Sequence, residues 1–439
     1  MSNKLGTRYP TEPIKCWSKM KELRRKHFRH TWEATEQGEP IITGITGGPL
    51  HAFLAGFGNF ANPSFGPYYT GSMRDMALNV KYSEAAEFKG YPRELCSSMR
   101  NHLGQLSLGL STRSPEGKVF KPTFILQEAE CPSMSKTAQI FAEELGVPHF
   151  IIDESYDDVH ENRVFLIEQL QDCIEYFEKE TGRKFNDEAF IEALKIECRI
   201  GSVMSQVFEL MRVVPAPIDL RQIQSLRLPT TTGSHKKETL DYCEELLVEV
   251  KDRVDRGISA RGIEEARLCF EGLPPFYYAD IYRLPEKYGA IFVIGDLPLR
   301  SFSLWDLKDD GTTTPAPDLE EMMRILGLEE LRTREDGLVL LVDNLTRRMW
   351  PACNPFSKSK LLLKRVEAWK CNGVIIHIDR GCYGGQCGTL DAKWDLDKAG
   401  IPNLTFEGSQ ADCRLFNERD TVEAFYTFFE TIGLKRMDS

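Results

Sequence analysis

What most constrains the fold of this chain is a recurrence of short apolar runs separated by stretches with helical spacing. In the N-terminal part they are Glu39-Pro-Ile-Ile-Thr-Gly44, Lys121-Pro-Thr-Phe-Ile-Leu-Gln127 and Val147-Pro-His-Phe-Ile-Ile-Asp153. In the C-terminal part they are Gly289-Ala-Ile-Phe-Val-Ile-Gly295, Gly337-Leu-Val-Leu-Leu-Val342, Gly373-Val-Ile-Ile-His-Ile378 and Ile401-Pro-Asn-Leu-Thr-Phe406. Continuous apolar strands alternating with helices over short links build parallel sheets covered on both faces. Between the two sets, from about Asp157 to Arg267, the pattern is helical throughout: Ile167, Leu170, Ile174 and Phe177 fall three and four apart, and Asn186 with Asp187 and Glu188 makes a capped start. The predicted fold is therefore α/β, two Rossmann-like parallel-sheet halves with a helical domain between them. The segments are an N-terminal helical segment 1–37, a first α/β domain 38–156, a helical domain 157–287 and a second α/β domain 288–439.

Length and charge narrow the class further. A chain of 439 residues with 41% apolar content buries more than one core. Its 55 Lys and Arg against 66 Asp and Glu leave a net charge of −11, with the basic residues dispersed, which argues against a general nucleic-acid binder. Met1 to Cys16 lacks the apolar core of a secretory signal, and no run reaches the roughly 18 apolar residues that span a bilayer. The expectation is a cytoplasmic protein, away from membranes, whose 12 cysteines stay reduced. Thr43-Gly-Ile-Thr-Gly-Gly48 matches neither the phosphate-loop nor the dinucleotide pattern, so a tight strand-to-helix turn is its default.

Three cysteines share a context. Cys96, in Gly90-Tyr-Pro-Arg-Glu-Leu-Cys-Ser-Ser-Met-Arg-Asn-His-Leu-Gly104, opens a helix, where Ser97 and Ser98 are both able to cap and where unpaired N–H groups favour thiolate. Cys131 follows a strand of the first half, and Cys382, in Asp379-Arg-Gly-Cys-Tyr-Gly-Gly-Gln-Cys387, follows a strand of the second. Ligands of open α/β sheets gather at the carboxyl ends of strands, so two facing halves bring such thiols to one cleft, where soft donors select iron-sulfur clusters or zinc. The residues alone leave the other reading open, a buried apolar thiol at each position, since no compact C-x-x-C pair is present. Cys387 is a second candidate in the Cys382 loop. Cys16, Cys173, Cys198, Cys243, Cys269, Cys353, Cys371 and Cys413 read as packing residues. His102 reads as a surface or partner contact. His377 reads as a core histidine first and a proton donor second. Phe57, Phe60, Phe65, Tyr68 and Tyr69 form an aromatic stretch suited to either a packed loop or the wall of a dry cleft.

Leu95-Cys-Ser-Ser-Met-Arg-Asn-His-Leu-Gly104, the Cys131 segment, Arg267-Leu-Cys-Phe-Glu-Gly272, Gly373-Val-Ile-Ile-His-Ile-Asp-Arg-Gly-Cys382, Gly400–Gly408 and Thr421–Phe425 together resemble the 2-hydroxyacyl-CoA dehydratase and benzoyl-CoA reductase family, from about residue 38 to 436. The resemblance implies one 4Fe-4S cluster held by Cys96, Cys131 and Cys382, with its fourth iron site open. It also implies a heterodimer with a related cluster-bearing subunit, electrons from a separate ATPase fed by a ferredoxin-type donor, and an acyl-CoA substrate. Arg100-Asn-His-Leu-Gly-Gln105 and the Arg380-Gly-Cys382 turn look most like the larger cluster-bearing subunit of ATP-dependent benzoyl-CoA reductase, which reduces benzoyl-CoA to a cyclohexadiene-carboxyl-CoA. The alternatives are a 2-hydroxyacyl-CoA dehydratase subunit acting through a ketyl radical, and a non-catalytic structural or electron-relay metal-binding subunit.

Overall fold

The computed structural model describes residues 8–36, 42–43, 50–58, 60, 75–110, 122–129, 131–153, 160–296, 305–307, 313–353 and 355–437. Most of the glycine-rich turn after Thr43, and Phe65, Tyr68 and Tyr69, lie outside the described residues.

Two parallel sheets form from the apolar runs. In the first, β1 (Ile42–Thr43), β2 (Phe124–Glu128) and β3 (His149–Ile152) stand in that order, with Thr43 opposite Ile125 and Leu126 opposite Phe150. In the second, β4 (Ala266–Glu271), β5 (Ala290–Gly295), β8 (Gly373–Asp379) and β9 (Asn403–Gly408) take the order β5-β4-β8-β9. An antiparallel pair, β6 (Trp305–Leu307) and β7 (Thr313–Pro315), stands apart from both. In the second sheet the chain leaves β4 for β5 on one side and returns to β8 on the other, so the topological switch lies between β4 and β8. That is where open α/β sheets bind their ligands.

Two departures from the sequence reading have physical causes. Gly337–Val342 is not a strand; it lies in the Arg334–Cys353 helix. A six-residue apolar run is equally compatible with a buried helix, and the flanks decide. Thr333 and Asp336 exchange bonds in the manner of a capping box, Asp336 N–H to the Thr333 hydroxyl at 3.2 Å and Thr333 N–H to Asp336 Oδ2 at 3.0 Å. Conversely β4 lies ahead of the expected start of the second unit near Tyr288, because Arg267 and Glu271 disguise its apolar run. Both are buried and neutralised: Arg267 pairs with Glu264 and donates to the Trp369 and Met211 carbonyls at 2.7 Å, and Glu271 accepts from Arg365 at 2.7 Å.

The cores follow the sheets. Phe124 and Leu126 face a cluster with Phe53, Phe57, Phe177 and Phe190, while Ile125 faces the Ser97–Ser107 and Pro132–Leu145 helices through Met99, Leu103, Ala138 and Phe141. A larger cluster surrounds the second sheet and takes in Cys16, just before the Trp17–Glu36 helix, and Met20 and Leu23 on it, so the N-terminal segment packs on the body. Each fully buried Leu, Ile or Phe contributes about 1.5–3 kcal/mol by leaving water. Phe57 is one of these core rings, 4.0 Å from Phe177 between centroids, and not a cleft wall. Cys173, Cys198, Cys243 and Cys269 are buried among apolar neighbours, and the Cys353 side chain lies outside the described residues.

Candidate metal centre

Cys96, Cys131 and Cys382 each occupy the residue immediately before a helix: Ser97–Ser107, Pro132–Leu145 and the single turn Tyr383–Gln386. Ser97 and Ser98 are inside their helix, and Ser97 Oγ instead accepts the N–H of Ala411 at 3.2 Å. Cys96 is buried, which pushes its thiol up to about 12, against the opposing pull of the Met99 and Ser98 N–H groups; Asp379 and Cys131 are near enough to raise it further. Cys131 and Cys382 are half-buried, and Cys387 is exposed.

The C-terminal end of β8 and the loop after β9 draw these positions together. Asp379, the last residue of β8, is 2% exposed. Its Oδ1 accepts the Gln410 N–H at 3.0 Å, and among the described residues its Oδ2 has no hydrogen-bond partner. Burial pushes this carboxyl up to about 7, restrained by Gln410 and by the Cys382 thiol beside it. Gln410 Nε2 donates to Cys96 Sγ at 3.8 Å. Gly381, with φ of +80°, lies so close to the chain before Cys96 that a Cβ there would stand 2.8 Å from the Glu94 carbonyl oxygen. Only glycine allows both that backbone angle and that approach. Lys358, buried, holds the far side of the loop through the Gly385 carbonyl at 2.7 Å, the Cys387 carbonyl at 3.2 Å and Thr389 Oγ1 at 3.0 Å.

An ion network ties the Ser97–Ser107 helix to the β9 loop. Arg100, fully buried, spans Glu87 Oε1 and Asp412 Oδ2, each at 2.7 Å, and Arg414 bonds the same two carboxylates. Asn101 Nδ2 reaches the Ala411 carbonyl at 3.0 Å, as does Asn79 Nδ2 at 2.7 Å. The network joins residues 79–101 to residues 411–414, and apart from Arg100 and Asn101, set within the Cys96 motif, no spacing signal marks its members.

Both candidate histidines belong to the interior. His102 is buried, not a surface contact: its neighbours Arg100, Asn101 and Gln105 are buried too, because the helix is covered on all sides. Burial lowers its pKa to about 3. His377 is stacked on Phe406 at 4.6 Å with Nδ1 on the Leu273 carbonyl, and burial lowers it to about 4.

The chain matches the sequence profile described as 2-hydroxyglutaryl-CoA dehydratase, D-component, over residues 73–429, which takes in all three cysteines and more than half of the chain. It belongs to that family. Among its relatives, the (R)-phenyllactyl-CoA dehydratase alpha subunit of Clostridium sporogenes is 25% identical over 76% of this chain and 76% of its own length. The (R)-2-hydroxyisocaproyl-CoA dehydratase alpha subunit of Clostridioides difficile is 24% identical over 77% of each chain. A benzoyl-CoA reductase subunit of Thauera aromatica is 21% identical over 95% of this chain and 94% of its own length. The family thus includes dehydratase and reductase subunits, and this chain is of that enzyme-subunit type.

Among the described residues, no group of three or more His, Cys, Asp and Glu side chains is drawn tightly enough to hold a metal ion. Cys96 lies near Asp379 and Cys131, and Cys382 lies beside Asp379. No helix of the described residues is long and apolar enough to cross a membrane.

Proposed function

We propose that this chain is the iron-sulfur subunit of an ATP-dependent benzoyl-CoA reductase, with Cys96, Cys131 and Cys382 as ligands of one 4Fe-4S cluster whose fourth iron takes no ligand from this chain. The carrying observation is that the helix start at Cys96 in the first half meets Asp379 and Gln410 of the second, with Cys131 near Cys96 and Cys382 beside Asp379. The donor set suits the group: three thiols at helix starts, one with an amide N–H on its sulfur, beside the buried Asp379 carboxyl. When bound, such a cluster supplies low-potential single electrons. The chain's own residues exclude water around Cys96, hold the Cys382 loop through Lys358 and Gly381, and fix the relative position of the halves through Arg100.

Alignment with the Thauera aromatica benzoyl-CoA reductase subunit over 95% of the chain, against 76% and 77% for the two dehydratase subunits, supports the reductase reading. On that reading the chain pairs with a related subunit and receives electrons from a separate ATPase supplied by a ferredoxin-type donor. The second reading, a 2-hydroxyacyl-CoA dehydratase subunit, is favoured by the higher identity of the dehydratase relatives and by the family itself. Anaerobic assay with the partner subunit and the ATPase separates them. Ring reduction of benzoyl-CoA without dehydration of a 2-hydroxyacyl-CoA is the expected result, and the reverse establishes the dehydratase. Cys96→Ala, Cys131→Ala and Cys382→Ala should each lose most of the bound iron, while Cys387→Ala keeps it. Iron retained in Cys382→Ala and lost in Cys387→Ala reverses the ligand assignment in that loop.

A further inference from the structure

The first sheet has an open side. In the order β1-β2-β3 the last strand has a neighbour on one edge only. Ile125 N–H donates to the Pro148 carbonyl at 3.0 Å and Ala129 N–H to the Ile152 carbonyl at 2.8 Å, so Pro148, Phe150 and Ile152 turn their carbonyls toward β2. The alternate residues His149, Ile151 and Asp153 turn their backbone groups outward. Asp153 is already engaged: its N–H donates to Gln169 Oε1 at 2.8 Å, and its carbonyl accepts from Gln169 Nε2 at 2.9 Å. Among the described residues, the outward N–H and carbonyl groups of His149 and Ile151 have no hydrogen-bond partner.

A solvent-open groove of about 520 Å³ lies beside that edge, lined by His149 and Phe150 and by Asp172, Glu175, Tyr176 and Lys179 of the His160–Thr181 helix. The helix follows the strand in the opposite direction. Gln169 meets Asp153, and Tyr176 lies against Phe150 with ring centroids 6.1 Å apart. Phe165, one turn before Gln169, is 48% exposed. Asp172 and Glu175 are exposed, and neither has an ion-pair partner among the described residues. Two free carboxylates against Lys179 leave the rim acidic.

An unpaired strand edge takes up another extended chain through main-chain hydrogen bonds, while the groove beside it selects side chains. A second copy of this chain is the wrong occupant. Two β3 edges paired antiparallel about a two-fold axis set both His160–Thr181 helices on one face, with Asp172 and Glu175 turned toward their own copies. Like charges so placed repel. A segment in which Lys or Arg alternates with apolar residues suits both the edge and the rim. We propose that the outer edge of β3 receives an extended, Lys- or Arg-bearing segment of the subunit with which this chain pairs, which adds a strand to the first sheet; the identity of that partner rests on the reading under Proposed function. In antiparallel pairing, one residue of the segment exchanges both bonds with His149 and the next but one does so with Ile151. Side chains on the Phe150 face of the added strand meet Asp172, Glu175 and Tyr176.

The test compares the full chain, purified anaerobically, with Ile151→Pro and with the double variant Asp172→Lys, Glu175→Lys. Ile151→Pro removes only an outward N–H, a change that an edge strand accommodates. The double variant leaves the backbone untouched and carries the test if Ile151→Pro fails to fold. In titration calorimetry, a short capped peptide of alternating Lys and Val should bind wild type saturably, more weakly as salt is raised, and about tenfold or more weaker in each variant. The same peptide with Glu in place of Lys should not bind. In hydrogen exchange read by mass spectrometry, the His149 and Ile151 amides should be slowed about tenfold or more in the assembled heteromer relative to the free chain. Equal binding of the Glu peptide, binding that neither variant weakens, or amides that exchange equally fast in the heteromer overturns the proposal. Self-association of the free chain that Ile151→Pro abolishes assigns the edge to a second copy and overturns it too. A heteromer that protects both amides, yet neither reduces benzoyl-CoA nor dehydrates a 2-hydroxyacyl-CoA, overturns the functional reading and leaves the added strand standing.

Discussion

At the scale of single residues, the contact with most chemical consequence is Gln410 Nε2 on Cys96 Sγ, at 3.8 Å. A hydrogen bond to a ligating sulfur drains electron density from it, and such bonds are among the levers that set iron-sulfur potentials. Gln410→Leu keeps the volume and removes the donor. The variant should bind iron as wild type does and show a more negative reduction potential in a redox titration followed by paramagnetic resonance. An unchanged potential would mean that the amide has no bearing on the sulfur. Gln410 also donates its backbone N–H to Asp379, so the substitution leaves that anchor intact.

At the scale of elements, the Ser97–Ser107 helix and the β9 loop are joined by charges that lie out of water. Arg100 and Asp412 are both fully buried and pair at 2.7 Å. Removing the Asp412 charge leaves Arg100 and Arg414 sharing Glu87 alone, a loss of up to about 3–5 kcal/mol. Asp412→Asn should therefore lower unfolding stability by about that amount in denaturant titration at pH 7. The pH dependence has a defined sign. Burial pushes the Asp412 carboxyl up, but Arg414 and Arg100 outweigh it and hold it below the usual range, and Glu87 is held low by the same network. A carboxylate lowered in the folded state contributes stability that is fully present above its unfolded pKa of about 3.9 and is lost as pH falls through the lowered value. Wild type should lose more stability than Asp412→Asn between about pH 5 and pH 2. Parallel losses in the two proteins would show that the pair is not linked to acid unfolding.

At the scale of the whole molecule, each sheet has its own core, while the proposed metal centre draws on residues of both halves. The contacts of Arg100, Asn101 and Ser97 with residues 411–412 do not pass through the cysteines. Removing iron with a chelator should therefore lower the thermal midpoint while leaving far-UV ellipticity intact, since a group bound only by the folded state stabilises it by mass action. Loss of ellipticity on chelation would mean that the cluster itself holds the halves together. The apolar runs, the helical stretch between them and the placing of Cys96 before a helix and of Cys131 and Cys382 after strands were readable from residue order, because period, capping and turn chemistry act within a few residues. Gly337–Val342 was not, because a short apolar run is decided by its flanks; nor was β4, because Arg267 and Glu271 find partners that no local pattern reveals. The same holds at the centre. Sequence alone determined which thiols stand at strand ends and helix starts. Only the tertiary structure decided that Asp379, Gln410 and Gly381 stand among them and that His51 meets Ser234 and Glu197, because these contacts join residues up to 314 positions apart and depend on how two sheets and the helices between them pack.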